Sequence, residues 1–222
     1  MPLYDDSPIR RPPVVVWLVM LSCVALFLWL SLQPPGLRHE IEYNLGLVPA
    51  IFLGRAELDR TLFALPQWTT LFSCMFLHSG VLHLAFNMFS LYIFGRSVEG
   101  ATGSVRFLLL YLLCGVGAEM VEALGAPDAV VPMIGASGAI AGILGAHVAL
   151  FPRANVRVFV FFFIIIRLID VPAAVVLGVW FAIQVLSGVT ESGSESGVAF
   201  LAHTAGFIIG MAASLFLRIP EK

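Results

Sequence analysis

The chain holds 222 residues, 59% of them hydrophobic and only 12% charged. Soluble domains carry about 25% charged residues, so lipid has to cover most of this surface. A net charge of −2 excludes a strong electrostatic pull on nucleic acid or on an acidic partner, and one compact domain in a bilayer remains.

In chain order, Arg10 and Arg11 precede an apolar run from Val14 to Leu32. The run resembles a signal sequence, but it is long enough to span unaided, since a span needs about 20 residues. No small-x-small cleavage site follows it; Gln33-Pro34-Pro35-Gly36 does, and further apolar segments come later. A retained first helix is therefore expected. Segment 33–69 is too polar to span, yet holds the apolar patches Ile51-Phe52-Leu53 and Leu62-Phe63-Ala64-Leu65, then Trp68. That mixture suits a structure lying in the membrane interface.

The second span is expected at 82–97, the third at 105–124, and the fourth from Ser137 to 151, just before Pro152. The stretch 156–170 is apolar but contains Arg157, Arg167 and Asp170. At about 15 residues it is short for a span, so it reads as an interfacial lead-in to a fifth span at 171–186, with a start near 156 left open. A Gly- and Ser-rich loop, Ser187–Gly197, leads to the sixth span at 198–217. The expected fold is an all-α, six-span helical bundle over 14–218, with a long interfacial first loop, a short N-terminal segment (1–13) and a C-terminal tail (219–222).

With the N-terminus inside, the inner segments hold Arg10, Arg11, Arg96, Arg106, Arg153, Arg157, Arg167, Arg218 and Lys222; the outer ones hold Arg38, Arg55 and Arg60. This distribution predicts that both termini are cytoplasmic. Spans two, four and six then start at the outer face, where polar groups at their first turns share one depth. Cys23, Cys74 and Cys114 are an odd number without metal-like spacing and read as apolar packing residues.

Polar side chains inside a bilayer point to function. At the outer end of span two, His83 and Asn87 are four residues apart and share a helix face. They serve either as donors to one small volume or as glue between helices. Span four opens with Gly135-Ala136-Ser137-Gly138. A serine there is ordinarily a cap, but free amides at the helix start also suit an oxyanion. On span six, His203, Gly206 and Gly210 share one face. The G-x-x-x-G pair permits close packing against the small face of span four, which includes Gly138 and Gly142. Such packing would bring Ser137 to His203. A serine nucleophile needs a base, which a neutral imidazole supplies. His83, Asn87 and backbone amides fit as oxyanion donors. No acid lies near the outer ends of spans two, four or six, so a Ser–His dyad is expected rather than a triad.

Taken together, these motifs resemble the rhomboid intramembrane serine proteases. The matching elements are Asn44-Leu45-Gly46-Leu47-Val48-Pro49, Trp68, Phe76-Leu77-His78, His83-x-x-x-Asn87, Gly95 with Glu99, Gly135-Ala136-Ser137-Gly138, and His203-x-x-Gly206-x-x-x-Gly210. The resemblance implies cleavage of transmembrane protein substrates near the outer surface, with Ser137 as nucleophile, His203 as base and His83 and Asn87 around the oxyanion. It implies no metal and no cofactor. Thr69 stands where relatives often carry arginine after the loop tryptophan. The short form is typical of prokaryotic members, which suggests the inner (cell) membrane; oligomeric state is left open.

His78 and Gly135 are assigned supporting roles at the site. His147 lies ten residues beyond Ser137, about 15 Å deeper along a helix, and reads as packing. Glu99 reads as structural, and Trp180 and Gln184, which share a face of span five, read as packing before substrate access. Loop 187–197 is expected to cap a water-filled cavity over Ser137. Two other readings compete: a catalytically inactive rhomboid-like binder of membrane proteins, and a small transporter. Retention of both Ser137 and His203 weighs against the first; the one-ended polar cluster and the lack of an inverted repeat weigh against the second.

Overall fold

The computed structural model describes residues 2–7, 11–57, 66–162, 165–190 and 200–217. The apolar patch at 62–65, loop residues 191–197 of the expected cap, and the tail 219–222 lie outside these residues.

The molecule is mostly helical, and its long helices follow the apolar runs. A strand, β1 (Pro2–Asp5), precedes α1 (Val14–Ser31). The first loop contains α2 (Pro35–Leu45), started by proline, and the single turn α3 (Pro49–Phe52). Gln67–Thr69 and Cys74–Phe76 form 3-10 turns on either side of α4 (Thr70–Ser73). Next come α5 (Val81–Ser90), a π-helical turn (Leu91–Gly95) and α6 (Arg96–Thr102), which together run as one rod. Gly103 has φ +84°, a conformation that suits glycine, and turns the chain directly into α7 (Ser104–Gly125). The bundle ends with α8 (Ser137–Leu150), α9 (Ala173–Thr190) and α10 (Phe200–Ser214).

Val14–Ser31, Val81–Thr102 and Ser104–Gly125 are long and apolar enough to cross a membrane; Ser137–Leu150, Ala173–Ser187 and Phe200–Ser214 are shorter apolar helices. Between α8 and α9 the chain forms a β-hairpin, β2 (Asn155–Phe162) and β3 (Ile165–Pro172), paired from Asn155↔Pro172 to Phe162↔Ile165. β1 adds to its free edge, antiparallel to β2. The lead-in expected over 156–170 is thus sheet, and the following helix starts at Ala173. Alternating β-branched and aromatic residues suit strands, and the one polar pair across the hairpin, Arg157 bonded to Asp170 at 2.8 Å, supports its register. At its far end α9 continues past Ser187 to Thr190, into the segment expected to be loop.

Two buried polar clusters tie together the end of the bundle opposite Ser137. Glu99, fully buried, accepts hydrogen bonds from the amides of Val15 (2.9 Å) and Val16 (2.8 Å) and from the Ser104 hydroxyl (2.6 Å). It therefore caps α1, whose first amides have no partner within the helix. Asp5 accepts from the Ser7 and Ser97 hydroxyls and lies 3.2 Å from His147 Nε2. His147 is packed in the last turn of α8, and through it β1 is joined to the helix that begins with Ser137.

Candidate active site

The site is built at the α8–α10 crossing. A Cβ added at Gly206 would run into the carbonyl oxygen of Gly138, and one at Gly210 into that of Gly142. Glycine at these positions lets backbone meet backbone, so the helices approach as closely as two helices can. One turn before Gly206 on the same face is His203, and the first residue of α8 is Ser137. The Ser137 Oγ lies 2.8 Å from His203 Nε2, within hydrogen-bond range.

The other ring nitrogen is also engaged. His203 Nδ1 lies 2.6 Å from Gln184 Oε1, on the buried face of α9. Trp180, one turn earlier, stands with its ring 6.0 Å from the His203 ring, and Phe181 stacks on Phe207 at 4.6 Å. Packing was the expectation for Gln184, and its bond to the imidazole was missed. The available signal was a lone amide side chain in an apolar helix, which must find a partner inside the protein.

The amides of Ser137, Gly138 and Ala139 precede the first intrahelical bond of α8, which Ile140 donates to Ala136 (2.9 Å). These are the orphan donors of a helix N-terminus, directed toward the serine side of the site. Gly135 has φ +139°, and its own amide donates to the Cys74 carbonyl (2.9 Å), so its contribution is shape rather than a free donor. A Cβ there would sit 2.8 Å from His83 Cε1 and Nε2 and 3.7 Å from Ser137 Oγ, which shows how tightly the His83 ring and the serine flank this glycine.

His83 Nδ1 is 3.0 Å from the Ser79 hydroxyl. With that hydroxyl donating, the ring proton sits on Nε2, the atom that faces Gly135. His78 is buried, with its ring 5.1 Å from that of His83 in an edge-to-face contact, and backs the His83 ring. The Asn87 amide donates to the His83 carbonyl (3.0 Å) one turn back. Among the described residues no hydrogen bond joins Asn87 or His78 to Ser137 or His203.

Acids do occur at this end, on α7. Glu122 accepts from the Ala202 amide (2.7 Å) and so caps the start of α10, immediately before His203. Glu119 is buried beside Gly138. Neither acid was expected from the sequence, because both lie on α7, which ends at this side of the bundle, rather than on one of the helices that begin here.

Residues 65–220 match the Rhomboid domain family. Among curated relatives, the chain is 36% identical over 166 residues to Rhomboid protease GluP of Bacillus subtilis (strain 168), covering 73% of this chain and 29% of that protein. It is 33% identical over 189 residues to Rhomboid-like protein 11, chloroplastic, of Arabidopsis thaliana, covering 79% and 63%. With RHOMBOID-like protein 5 of Arabidopsis thaliana the figure is 38% over 119 residues, covering 53% and 37%. The chain thus spans less than two thirds of the length of each.

Proposed function

Because the chain belongs to the rhomboid family, we propose that it is an intramembrane serine endopeptidase that hydrolyses peptide bonds in or next to transmembrane segments of other membrane proteins. Ser137 is the nucleophile and His203 the base. The observation that carries this reading is the 2.8 Å hydrogen bond between their side chains at the mouth of a glycine seam.

Ser137 Oγ attacks the substrate carbonyl as its proton passes to His203 Nε2. The oxyanion that forms is stabilised by the free amides at the start of α8 and by the Nε2 proton of His83, with Asn87 one turn deeper holding the His83 carbonyl. Collapse of the intermediate breaks the C–N bond, and His203 returns the proton to the leaving amine. Water, deprotonated by the same imidazole, then releases the acyl group and restores the serine.

Depth supports an intramembrane site. The 14 residues of α8 rise about 21 Å, against a hydrocarbon core of about 30 Å. If its inner end lies at the cytoplasmic surface, as the distribution of arginines favours, Ser137 starts several ångströms beneath the outer one. Substrates are accordingly transmembrane proteins that reach the site from the lipid or from just above it.

The test uses the purified chain in lipid vesicles with a single-span substrate, comparing wild type with Ser137→Ala and His203→Ala. Cleavage by wild type and its loss in both variants is expected, as is labelling of Ser137 by a serine-reactive phosphonate. An inactive wild type, or cleavage that survives Ser137→Ala, refutes the proposal.

A further inference from the structure

We propose that Gln184 is a positioning residue for the base: its side-chain oxygen accepts the Nδ1 proton of His203 and so fixes the tautomer whose Nε2 lone pair faces Ser137. The inference rests on the serine-protease reading and adds a third member to it from a different helix.

The two ring nitrogens of His203 have partners on opposite sides, Gln184 Oε1 at 2.6 Å and Ser137 Oγ at 2.8 Å. A neutral imidazole carries one proton. An amide oxygen only accepts, so that proton must sit on Nδ1, and Nε2 is left free to take the serine proton. If the amide were reversed, its NH2 would donate to Nδ1 and drive the proton onto Nε2. There it would point at Ser137 and block the transfer. A wrong tautomer of this kind costs a catalytic triad about 10⁴-fold in turnover.

The placement of Gln184 on α9 favours a specific role over incidental packing. Val175, Val179, Ile183 and Leu186 are exposed along α9, as a lipid-facing helix requires, whereas Gln184 is buried. Turning a polar amide inward is costly without a partner, and the imidazole is that partner. Being neutral, the amide orients the ring without placing an isolated anion in a low-dielectric site. It follows that Gln184 supplies orientation but not the charge with which a carboxylate would stabilise the imidazolium.

Three variants test this in the full chain in vesicles, with cleavage of a single-span substrate, phosphonate labelling of Ser137, and thermal unfolding read in parallel. Gln184→Leu removes the acceptor; kcat and the labelling rate are expected to fall together by about a hundredfold, within the roughly 10²–10⁴-fold that a well-placed base contributes, while KM changes little. Gln184→Met, of similar length, should behave in the same way. Gln184→Glu keeps an acceptor and adds charge, so it should retain cleavage while the acid limb of its pH–rate profile moves to higher pH by roughly one to three units, as a carboxylate beside the ring favours the imidazolium. A purely structural amide would not move that limb. Folded Leu and Met variants within twofold of wild-type kcat overturn the inference, as does a folded Glu variant that is inactive or has an unshifted profile. If the Leu and Met variants fail to fold, the Glu profile decides. Should wild type neither cleave nor label, the protease reading itself has failed; if wild type does both and the variants match it, only the role of Gln184 is lost.

Discussion

Replacing Gly206 by alanine tests whether the glycine seam sets the catalytic geometry. The added Cβ would lie inside the van der Waals radius of the Gly138 carbonyl oxygen, which is backbone and cannot rotate aside. The two helices must part by roughly 1 Å or more before ordinary contact returns. Overpacking of this kind costs about 1–3 kcal/mol of stability. The effect on turnover should be larger. His203 is three residues from Gly206 on the same face, so the displacement passes almost undiminished to the 2.8 Å Ser137–His203 contact and carries it beyond the roughly 3.2 Å limit of a useful hydrogen bond. A misplacement of about 1 Å costs about 10²-fold in rate. Gly178→Ala on α9 is the control, because nothing lies within 4 Å of its added Cβ. It should leave turnover unchanged and, through better helix propensity, gain up to about 1 kcal/mol. The measurements are kcat on a single-span substrate and thermal unfolding in the same vesicles. If Gly206→Ala keeps wild-type kcat and melting temperature, close α8–α10 packing does not position the dyad.

Three further outcomes are expected. Glu122→Ala removes the carboxylate cap from the Ala202 amide and should cost about 1 kcal/mol, with hydrogen exchange rising first at the start of α10; exchange unchanged there would refute the cap. Glu99→Ala leaves two amides of α1 and the Ser104 hydroxyl without their acceptor, and at about 1–3 kcal/mol for each buried group it should be among the most destabilising single changes, seen as a lower unfolding temperature. Burial alone would raise Asp5, but its bonds to His147, Ser97 and Ser7 outweigh this and hold its carboxyl below the ordinary value of 3.8. A depressed carboxylate stabilises the fold above the ordinary value and loses that contribution as pH falls through the depressed one. Protection of β1 against exchange should therefore hold at neutral pH and collapse below about pH 4, and Asp5→Asn should flatten that dependence.

What was legible in the sequence is whatever periodicity or a small face could encode. The helices follow the apolar runs because burial in lipid demands uninterrupted backbone hydrogen bonding. Gly206 and Gly210 meet Gly138 and Gly142 because only glycine fits there, and Ser137 and His203 come within bonding distance as a result. The strands at 155–172 were missed because a short apolar run bounded by arginines has no periodicity that separates strand from interfacial helix. Gln184 and Glu122 were missed for another reason. Each acts on a residue of α10 across a tertiary contact, Gln184 from 19 positions away and Glu122 from 80, and no local spacing announces such pairs.

Glu99, buried, and Glu122, half-buried, show where this fold places carboxylates. A helix that ends inside a bilayer leaves amides that no water can satisfy, and an anion meets both their hydrogen bonds and the positive end of the helix dipole. Glu99 does this for α1 and Glu122 for α10. At the candidate site, Ser137, His203 and Gln184 are joined by hydrogen bonds between groups that, in the proposed mechanism, stay neutral until a substrate is attacked. An aspartate at the Gln184 position would bind the imidazolium more strongly, but it would have to be desolvated in every resting molecule. The division is therefore between carboxylates that hold backbone amides in place and neutral groups around the proposed reacting atoms, where charge is transient. It predicts that Gln184→Glu stabilises the charged base at a cost in resting stability, so the same substitution should shift the pH profile and lower the unfolding temperature together. A variant that shifts the profile with no loss of stability would show that the site is better hydrated than its burial implies.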